Sequence, residues 1–379
     1  DLDNIFILKS YTTFSTSLGG FVTPAKLYSW GNNTYGELGD GTILHRSSPV
    51  QVGALTTWLQ VSNGVSGSSF GLAKDGTLWA WGLNGGNLGT GDLVHRSSPV
   101  QIGSFTSWSS ISGGNDGNYG LTSGNQLYSW GGNTFGDLGL GDITARSTPV
   151  LVSGGNSWSY VRGGAFNAAA LTTDKRLFCW GDNRLGQLGL GDSSPRSSPT
   201  QVGSLNNWKE ISHFTSSVLA LKIDGTLWSW GANYTGELGI GIANSHRSSP
   251  VQIGALNTWR KIGTAYLSGY AISSDRSLWS WGYNLLGELG QGDVVIRSSP
   301  VQVGALTNWY IINYNNNTSE SVFSIKTDGT LWAWGDNRWG ALGFSDATHR
   351  SSPTQVGALT TWKYVASSGQ LNTTLAIST

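Results

Sequence analysis

Seven arginines recur along the chain at intervals of roughly fifty residues, and their spacing is the first feature that suggests chemistry. They are Arg46, Arg96, Arg146, Arg196, Arg247, Arg297 and Arg350. Five of them follow an aspartate by four residues, and those aspartates are Asp92, Asp142, Asp192, Asp293 and Asp346. Such a series could bind an acidic partner, or each aspartate could fix its own loop through charge-assisted hydrogen bonds. Because the aspartate recurs together with the arginine, we favour the loop-fixing role.

The other reactive side chains form no pattern that indicates catalysis or metal binding. His45, His95, His246 and His349 precede four of the arginines, but they lie in different repeats, whereas the ligands of a metal must converge. The single cysteine, Cys179, takes the place of a serine or alanine and is best interpreted as a small buried side chain. Phosphate-binding, nucleophile-elbow and zinc-protease motifs are absent from the sequence. We therefore expect no metal site, no cofactor and no enzymatic activity.

The arginines belong to a repeated unit that begins with a Leu-x-x-Trp-Gly strand. A glycine loop, N-x-x-G-x-L-G-x-G, leads from this strand to Arg-Ser-Ser-Pro and a second apolar run, and two further apolar runs follow. Asp-Gly turns such as Asp75-Gly76 join the fourth run to the next unit, and Asp-Gly between alternating runs indicates a β-hairpin. The Trp-Gly pair occurs at Trp30, Trp81, Trp130, Trp180, Trp230, Trp281 and Trp334. Four antiparallel strands per unit, without helical periodicity, predict a propeller blade.

Seven units predict an all-β, seven-bladed β-propeller with four antiparallel strands per blade over residues 23–379. Two tryptophans recur in each unit, and we expect them to form the core between blades, since a buried indole contributes about 4–6 kcal/mol gross. The chain ends in a strand that lacks its Leu-x-x-Trp-Gly hairpin partner, and residues 26–30 supply one. We predict that this N-terminal strand completes the last blade and closes the ring. Residues 1–22 form an N-terminal extension, which is either an anchor for an assembly partner or a strand across the propeller.

The composition excludes several classes of function. The net charge is +0 at pH 7 and charged residues make up 12% of the chain, whereas a protein dedicated to nucleic acid needs a basic face. We therefore expect no nucleic-acid partner. A membrane-spanning helix needs about 20 consecutive apolar residues, and the sequence contains no such run. We therefore expect no membrane insertion.

The unit W-G-x-N-x-x-G-x-L-G-x-G-D-x-x-x-R-S-S-P-V-Q-V-G, with D-G-T-L-W-S-W-G, resembles the repeat of the regulator of chromosome condensation family. The resemblance covers residues 24–379 and implies a seven-bladed propeller. The eukaryotic founder of the family is a guanine-nucleotide exchange factor docked on chromatin. Its basic tail has no counterpart here, because residues 1–22 contain only Lys9 as a cationic side chain, and no long inserted hairpin is evident. The near-identical units are more similar to copies in bacterial secreted proteins and bacteriophage proteins.

Two positions inside N-x-x-G vary while the residues around them do not, and these positions point to binding. Large aromatic, aliphatic and arginine side chains at such positions are typical of interface hot spots. The candidates are Tyr35, Phe135, Arg184, Tyr234, Leu286, Arg338 and Trp339. The alternative is that they cap the blade edges against solvent. Tyr310 and Tyr314 are further candidates, because they lie in a polar segment rich in tyrosine and asparagine that departs from the repeat and resembles a recognition loop.

These observations predict a non-enzymatic propeller that binds a protein or a surface glycan through the face that carries the loops. The low charge and the polar surface favour a structural attachment or adhesion protein, extracellular or on a virion as a phage tail or capsid protein. The alternative function is guanine-nucleotide exchange on a small GTPase in the cytoplasm. An inserted hairpin or a cluster of acidic loop residues on one face would favour that alternative.

Overall fold

The computed structural model describes residues 24–64, 66–312, 320–368 and 372–379. Residues 1–22 and Tyr314 lie outside these ranges, so the predictions for the N-terminal extension and for Tyr314 stay predictions. Within the described ranges the chain forms seven four-stranded antiparallel sheets. The only helical element in the described ranges is a single 3-10 turn at Arg338–Gly340. The described residues contain no helix that is long and apolar enough to cross a membrane. The all-β, seven-bladed propeller predicted from the repeats is therefore confirmed.

Each blade begins with a strand that starts at a tryptophan and lies next to the propeller axis, where β3 contacts both β7 and β27. These first strands are β3 (Trp58–Asn63), β7 (Trp108–Gly113), β11 (Trp158–Gly163), β15 (Trp208–His213), β19 (Trp259–Ala265), β23 (Trp309–Ile312) and β27 (Trp362–Ser367). The second strands are β4 (Ser68–Ala73), β8 (Gly117–Thr122), β12 (Asn167–Thr172), β16 (Ser217–Lys222), β20 (Ser268–Ser273), β24 (Ser321–Lys326) and β28 (Thr373–Ser378).

The third and fourth strands of each blade come from the Trp-Gly segment and the Arg-Ser-Ser-Pro segment. The third strands are β1 (Lys26–Gly31), β5 (Leu78–Gly82), β9 (Leu127–Gly131), β13 (Leu177–Gly181), β17 (Leu227–Gly231), β21 (Leu278–Gly282) and β25 (Leu331–Gly335). The fourth strands are β2 (Arg46–Gln51), β6 (Arg96–Gln101), β10 (Arg146–Leu151), β14 (Arg196–Gln201), β18 (Arg247–Gln252), β22 (Arg297–Gln302) and β26 (Arg350–Gln355). The sequence unit is thus offset from the blade by two strands.

This offset closes the ring, because the last blade combines both ends of the chain in the order β2-β1-β28-β27. Leu27 pairs with Ile377 and Trp30 with Thr374 in the antiparallel ladder between β1 and β28. The prediction that an N-terminal strand completes the last blade is confirmed. The structure adds a second N-terminal strand, β2, at the outer edge of the same sheet.

The recurrent tryptophans form the core between neighbouring blades, as their spacing predicts. Trp30, Trp81 and their equivalents in the third strands have no exposed surface. Each of these seven indole nitrogens donates a hydrogen bond of 2.7–3.1 Å to a carbonyl oxygen in the loop of the preceding blade. The tryptophans that begin the first strands are also buried, and most pack edge-to-face against these indoles. Each blade therefore depends on its neighbour for burial.

The direction of the strands assigns every loop to one of two faces. The loops from third to fourth strands contain the N-x-x-G motif and cover 32–45, 83–95, 132–145, 182–195, 232–246, 283–296 and 336–349. Because the strands are antiparallel, the turns from first to second strands lie at the same end of the blades. We call this end the glycine-loop face. The turns from second to third strands and the crossovers between blades lie at the other end, which we call the crossover face.

Candidate functional site

The recurrent arginines fix the glycine loops from within. Arg96 donates to the Asp92 carboxylate at 2.6 Å and to the Val94 carbonyl at 2.8 Å, and the other four Asp–Arg pairs have the same arrangement at 2.6–2.7 Å. Arg46, which lacks an aspartate four residues earlier, pairs with Asp40 at 2.9 Å. Arg247 donates to Ser245 Oγ instead. The loop-fixing interpretation of the arginines is confirmed.

A buried asparagine organises each glycine loop, and the sequence reasoning did not assign it this role. Asn33 is fully buried, its Nδ2 donates to the Thr42 carbonyl at 3.0 Å, and its Oδ1 accepts from the Leu38 N–H at 2.9 Å. The Asn33 N–H in turn donates to Nδ1 of His45 at 2.9 Å. His95, His246 and His349 accept equivalent bonds. The histidines are thus loop-bracing acceptors.

A second buried acceptor in the loop holds the variable positions in place. The Tyr35 N–H donates to Glu37 Oε2 at 2.8 Å, and the Leu286 N–H donates to Glu288 Oε2 at the same distance. The corresponding acceptors in other units are Asn87, Asp137, Gln187 and Glu237. Acid and amide both occur at this position because each supplies an acceptor oxygen, and Glu237 also accepts from the Tyr234 N–H with its second oxygen. The rest of each carboxylate is buried, and this burial raises the pKa of both Asp137 and Glu288 to about 7.

The last loop lacks this acceptor, because Ala341 stands at the equivalent position. Trp339, which precedes it by two residues, has a φ of 61° and a ψ of 15° within the 3-10 turn. A bulky residue with positive φ is strained, and such strain is concentrated at functional sites. Among the described residues, the equivalents Tyr35, Phe135 and Leu286 do not have positive φ. The missing acceptor and the positive φ thus occur together in this loop.

Trp339 is exposed by 55% and reaches over the neighbouring blade. Its ring centroid lies 5.0 Å from that of His45, which belongs to the next loop around the ring. Tyr35 makes the equivalent contact with His95 of its own neighbouring blade, at 5.4 Å. Tyr234 instead packs on His246 of the same loop at 4.7 Å. Three of the predicted candidates are therefore exposed aromatic rings that are each held against a histidine.

The other candidates in these loops are less exposed than the three aromatic rings or are held by contacts with neighbouring side chains. They are Phe135, Arg184 and Leu286. Phe135 is half-buried, with its ring centroid 5.6 Å from that of Phe166 and with the Arg184 guanidinium 4.3 Å above it. Arg184 also donates to both oxygens of Asp182. Leu286 is half-buried. The capping interpretation therefore fits Phe135 and Leu286 better than it fits Trp339.

Arg338 lies between two carboxylates on the glycine-loop face. Its Nε donates to Asp336 Oδ2 at 2.8 Å, and its Nη2 contacts the Glu320 carboxylate. Burial raises the pKa of Glu320 above its usual value, although Arg338 opposes that shift. The guanidinium is still 56% exposed, so it is held in place and accessible to a partner.

Tyr310 lies in a strand and not in a loop, and its candidacy as a binding residue stays a prediction. It lies in β23, where a bulge interrupts the pairing between Trp309 and Ile311. Because β23 starts at the crossover face, Tyr310 lies at the opposite end of the blade from the other candidates. The sequence did not reveal the position of Tyr310, because the segment that departs from the repeat begins inside a strand.

The exposed aliphatic residues of the glycine loops were missed by the sequence reasoning. Leu93 is 68% exposed and Ile143 is 70% exposed, and Ile43, Leu44, Val94, Val294 and Val295 are also more than half exposed. They lie between the aspartate and the arginine of their loops. The loop with Asp192 and Arg196 instead has Ser193 and Ser194 at these positions. The sequence did contain a signal for these residues, because apolar side chains are unusual in a loop that is rich in glycine. Exposed apolar residues grouped on one face favour a binding surface.

Carboxylates outnumber basic side chains on the glycine-loop face. Of the described residues on this face, the acidic ones are Glu37, Asp40, Asp92, Asp116, Asp137, Asp142, Asp182, Asp192, Glu237, Glu288, Asp293, Glu320, Asp336 and Asp346. The basic ones, apart from histidine, are Arg46, Arg96, Arg146, Arg184, Arg196, Arg247, Arg297, Arg338 and Arg350. The face therefore has more acidic than basic residues, although Glu37, Asp137, Asp182, Glu237, Glu288 and Asp336 are buried.

The described part of the chain contains no group of three or more His, Cys, Asp or Glu side chains that could hold a metal ion. Cys179 is fully buried, and this burial raises the pKa of its thiol well above the usual range. A buried thiol with a raised pKa is inert.

A family model described as the regulator of chromosome condensation (RCC1) repeat matches residues 25–70, 75–120, 125–171, 174–217, 224–265 and 328–375. A second model with the same description matches residues 159–187. Among solved structures, human WBSCR16 is similar with a TM-score of 0.82 and 18% sequence identity, over 93% of this chain and 98% of that chain. Prp20p from Saccharomyces cerevisiae is similar with a TM-score of 0.81 and 20% identity, over 94% of this chain and 92% of that chain. At these identities the similarity to solved structures shows the fold.

Proposed function

The chain belongs to the regulator of chromosome condensation (RCC1) repeat family, and on that premise we propose that it is a non-enzymatic propeller that binds a protein partner through its glycine-loop face. The observation that carries the proposal is Trp339, an indole that is 55% exposed and is held by a strained backbone against His45. Trp, Tyr and Arg dominate the binding energy of protein interfaces. Tyr35, Tyr234 and Arg338 supply the same kinds of side chain on the same face.

The rigidity of these loops supports binding as well as the side chains themselves. Each loop is braced by its Asp–Arg pair or an equivalent, by its buried asparagine and by a hydrogen bond to the next blade, such as Gly41 N–H to the Ser97 carbonyl at 2.8 Å. An interface that is ordered before association loses less conformational entropy when the partner binds. The propeller thus presents pre-ordered anchors on one face.

Site-specific photocrosslinking tests this proposal. A photoreactive phenylalanine analogue is placed at Trp339 or Tyr35 on the glycine-loop face, and at Leu205, which is 49% exposed on the crossover face, as the matched control. We expect positions 339 and 35 to crosslink to the same protein, identified by mass spectrometry, and position 205 not to do so. Equal crosslinking from both faces, or none from positions 339 and 35, would contradict the proposal.

Guanine-nucleotide exchange on a small GTPase is the second candidate function. The solved structure of Prp20p is described together with its binding to Gsp1p and histones, and Prp20p has the same fold as this chain. The acidic excess of the glycine-loop face is one of the two features that favour exchange. The other, an inserted hairpin, does not occur among the described residues.

The assay for exchange is the release of a fluorescent GDP analogue from purified Gsp1p. We expect this protein to accelerate the release, and we expect Trp339→Ala to lose the effect. Unchanged release would exclude exchange on Gsp1p, while crosslinking would still test protein binding.

The attachment role on a virion or outside the cell, and a glycan as the partner, rest on the low charge, the polar surface and the resemblance of the repeats. The fold comparison favours the exchange candidate over both. The two roles also require different locations, since exchange places the protein with its GTPase and attachment places it in particles or medium. Mass spectrometry of cell extract, culture medium and purified particles distinguishes these locations.

A further inference from the structure

The two faces of the propeller differ in the sign of their charge. The described basic residues of the crossover face are Lys26, Lys74, Lys175, Arg176, Lys209, Lys222, Arg260, Arg276, Lys326 and Lys363. Its acidic side chains are Asp75, Asp174, Asp224, Asp275 and Asp328, and Glu210 lies buried in β15 next to Lys209. The crossover face is therefore as clearly basic as the glycine-loop face is acidic. The net charge of +0 for the whole chain conceals this separation.

Part of this basic charge is concentrated at one position of the first strands, next to the axis. The second residue of each first strand lies at a β-bulge, for example between Trp208 and Glu210, where the pairing register shifts. In four consecutive blades this position holds Lys209, Arg260, Tyr310 and Lys363, which we call the basic arc. In the other three blades it holds Leu59, Ser109 and Ser159. The arc therefore covers one side of the crossover face.

The bulge explains why the arc presents its side chains at the surface. The extra residue of a bulge is left out of the ladder and its side chain is re-aimed. Tyr310 is 43% exposed, Lys363 is exposed, and Lys209 and Arg260 are half-buried. Lys209 Nζ lies 3.5 Å from the Arg260 backbone carbonyl, so the Lys209 side chain reaches the neighbouring blade. The arc is thus a continuous surface that spans several blades.

The basic residues elsewhere on this face differ from the arc. Lys222 lies 3.6 Å above the Trp228 ring and Lys326 lies 3.4 Å above the Trp332 ring, and both are buried. Burial lowers the pKa of both lysines, and an aspartate of the same hairpin, Asp224 or Asp328, opposes that shift. These lysines cover the tryptophans of their own blades. The arc is the part of the crossover face where basic and aromatic side chains reach solvent.

We propose that the basic arc formed by Lys209, Arg260, Tyr310 and Lys363 binds an acidic segment of a partner protein. This surface is separate from the glycine-loop face and would allow the propeller to hold two partners at once. Charge complementarity supplies the attraction and steers the encounter, and Tyr310 supplies an apolar contact with a hydroxyl. A protein segment fits better than a nucleic acid, because the chain has a net charge of +0, whereas a protein dedicated to nucleic acid needs a larger basic surface.

The test uses a fluorescein-labelled peptide of about twelve glutamates, and its binding is measured by fluorescence anisotropy at about 50 mM salt, where screening is weak. We expect saturable binding that weakens by about fivefold in the Lys209→Ala, Lys363→Ala double variant, since ion pairs that remain in contact with solvent are weak. The matched control is the Lys74→Ala, Lys175→Ala double variant, which removes two lysines from the same face outside the arc and should leave binding unchanged. Tyr310→Glu should weaken binding through like-charge repulsion.

Three results would overturn the proposal. One is the absence of saturable binding to the unmodified protein, and another is an equal loss in the arc variant and in the control variant. The third is tighter binding of a single-stranded oligonucleotide of the same charge, which would assign the arc to nucleic acid. Trp339→Ala should leave peptide binding unchanged, so that failure here is distinguishable from failure of the glycine-loop face.

Discussion

The indole Nε1 of Trp30 donates a 2.7 Å hydrogen bond to the carbonyl oxygen of Ala341, and the two residues are 311 positions apart in the chain. This bond joins β1, in the blade that combines both ends of the chain, to the glycine loop of the preceding blade. The same bond recurs at every other junction between blades, as between Trp180 and the Asp137 carbonyl at 2.8 Å. The closure of the ring therefore uses the contact that joins all the other blades.

We expect Trp30→Phe and Trp180→Phe to lower the free energy of unfolding by equal amounts, about 1–2 kcal/mol. Both substitutions remove one hydrogen-bond donor from a buried carbonyl that still accepts from a hydroxyl. The Ala341 carbonyl still accepts from Thr374 Oγ1, and the Asp137 carbonyl still accepts from the Tyr119 hydroxyl. Chemical denaturation measures both losses. A much smaller loss in Trp30→Phe would show that the junction between the chain ends opens before the rest of the ring.

We expect Trp339→Ala, Tyr35→Ala and Tyr234→Ala to weaken partner binding with less than about 0.5 kcal/mol change in stability, because their rings are 40–55% exposed. Trp180→Ala, at a fully buried indole, should lower stability by about 3–5 kcal/mol. Phe135→Ala should fall between them, since Phe135 is half-buried against Phe166. Thermal unfolding compares the variants. A loss in Trp339→Ala as large as that in Trp180→Ala would place Trp339 in the core.

We expect Ala341→Gln to restore the acceptor that the last glycine loop lacks. Gln187 occupies the equivalent position in another unit, where its Oε1 accepts from the Leu185 N–H at 2.8 Å. A glutamine at 341 should accept from the Trp339 N–H, relieve the positive φ and draw the indole away from His45. A crystal structure and the quenching of tryptophan fluorescence by acrylamide measure this change. An unchanged φ at Trp339 would show that the neighbouring blade, and not the missing acceptor, imposes the conformation.

The buried carboxylates predict that stability falls as pH rises from about 4 to 7. Burial, assisted by the Asp116 carboxylate, raises the pKa of Asp137 from 3.8 to about 7, and burial likewise raises that of Glu288. In this range the native protein binds protons that the unfolded chain has released, so its free energy of unfolding decreases with pH and levels off above 7.

We expect Asp137→Asn to reduce this decline and Asp137→Asn with Glu288→Gln to reduce it further. Buried His213, whose pKa burial lowers from 6.5 to about 3, contributes the opposite slope in every variant. The gain at pH 8 should be on the order of 3 kcal/mol for each site. Asn87 and Gln187 already serve as neutral acceptors at the equivalent positions, so the amides should fit. Urea denaturation at a series of pH values is the measurement, with Asp142→Asn as the control on an exposed loop. A decline of equal slope in the double variant would contradict the assignment.

We expect Leu93→Ser with Val94→Ser to preserve stability and weaken partner binding. Both side chains are more than half exposed, and the unit with Ser193 and Ser194 shows that the loop folds with serines at these positions. Thermal unfolding and a binding assay with the partner found by crosslinking measure the two effects. Unchanged binding would confine the interface to the aromatic positions.

The sequence alone predicted the number of blades, the four strands of each blade and the role of the recurrent tryptophans. It also predicted the Asp–Arg pairs, because Asp92 and Arg96 lie in one loop and interact within four residues. Features of this kind depend on the alternation of side chains and on turn chemistry, which act over a few neighbouring residues and are repeated in every unit.

Only the tertiary structure decided which face each residue occupies and what it contacts in the next blade. Tyr310 lies on the crossover face because of the direction of β23, and Trp339 meets His45 because the ring brings the last and first loops together. The separation of acidic and basic side chains between the two faces has the same origin. The direction of a strand and the identity of the neighbouring blade are set by closure of the whole ring, so no single repeat contains that information.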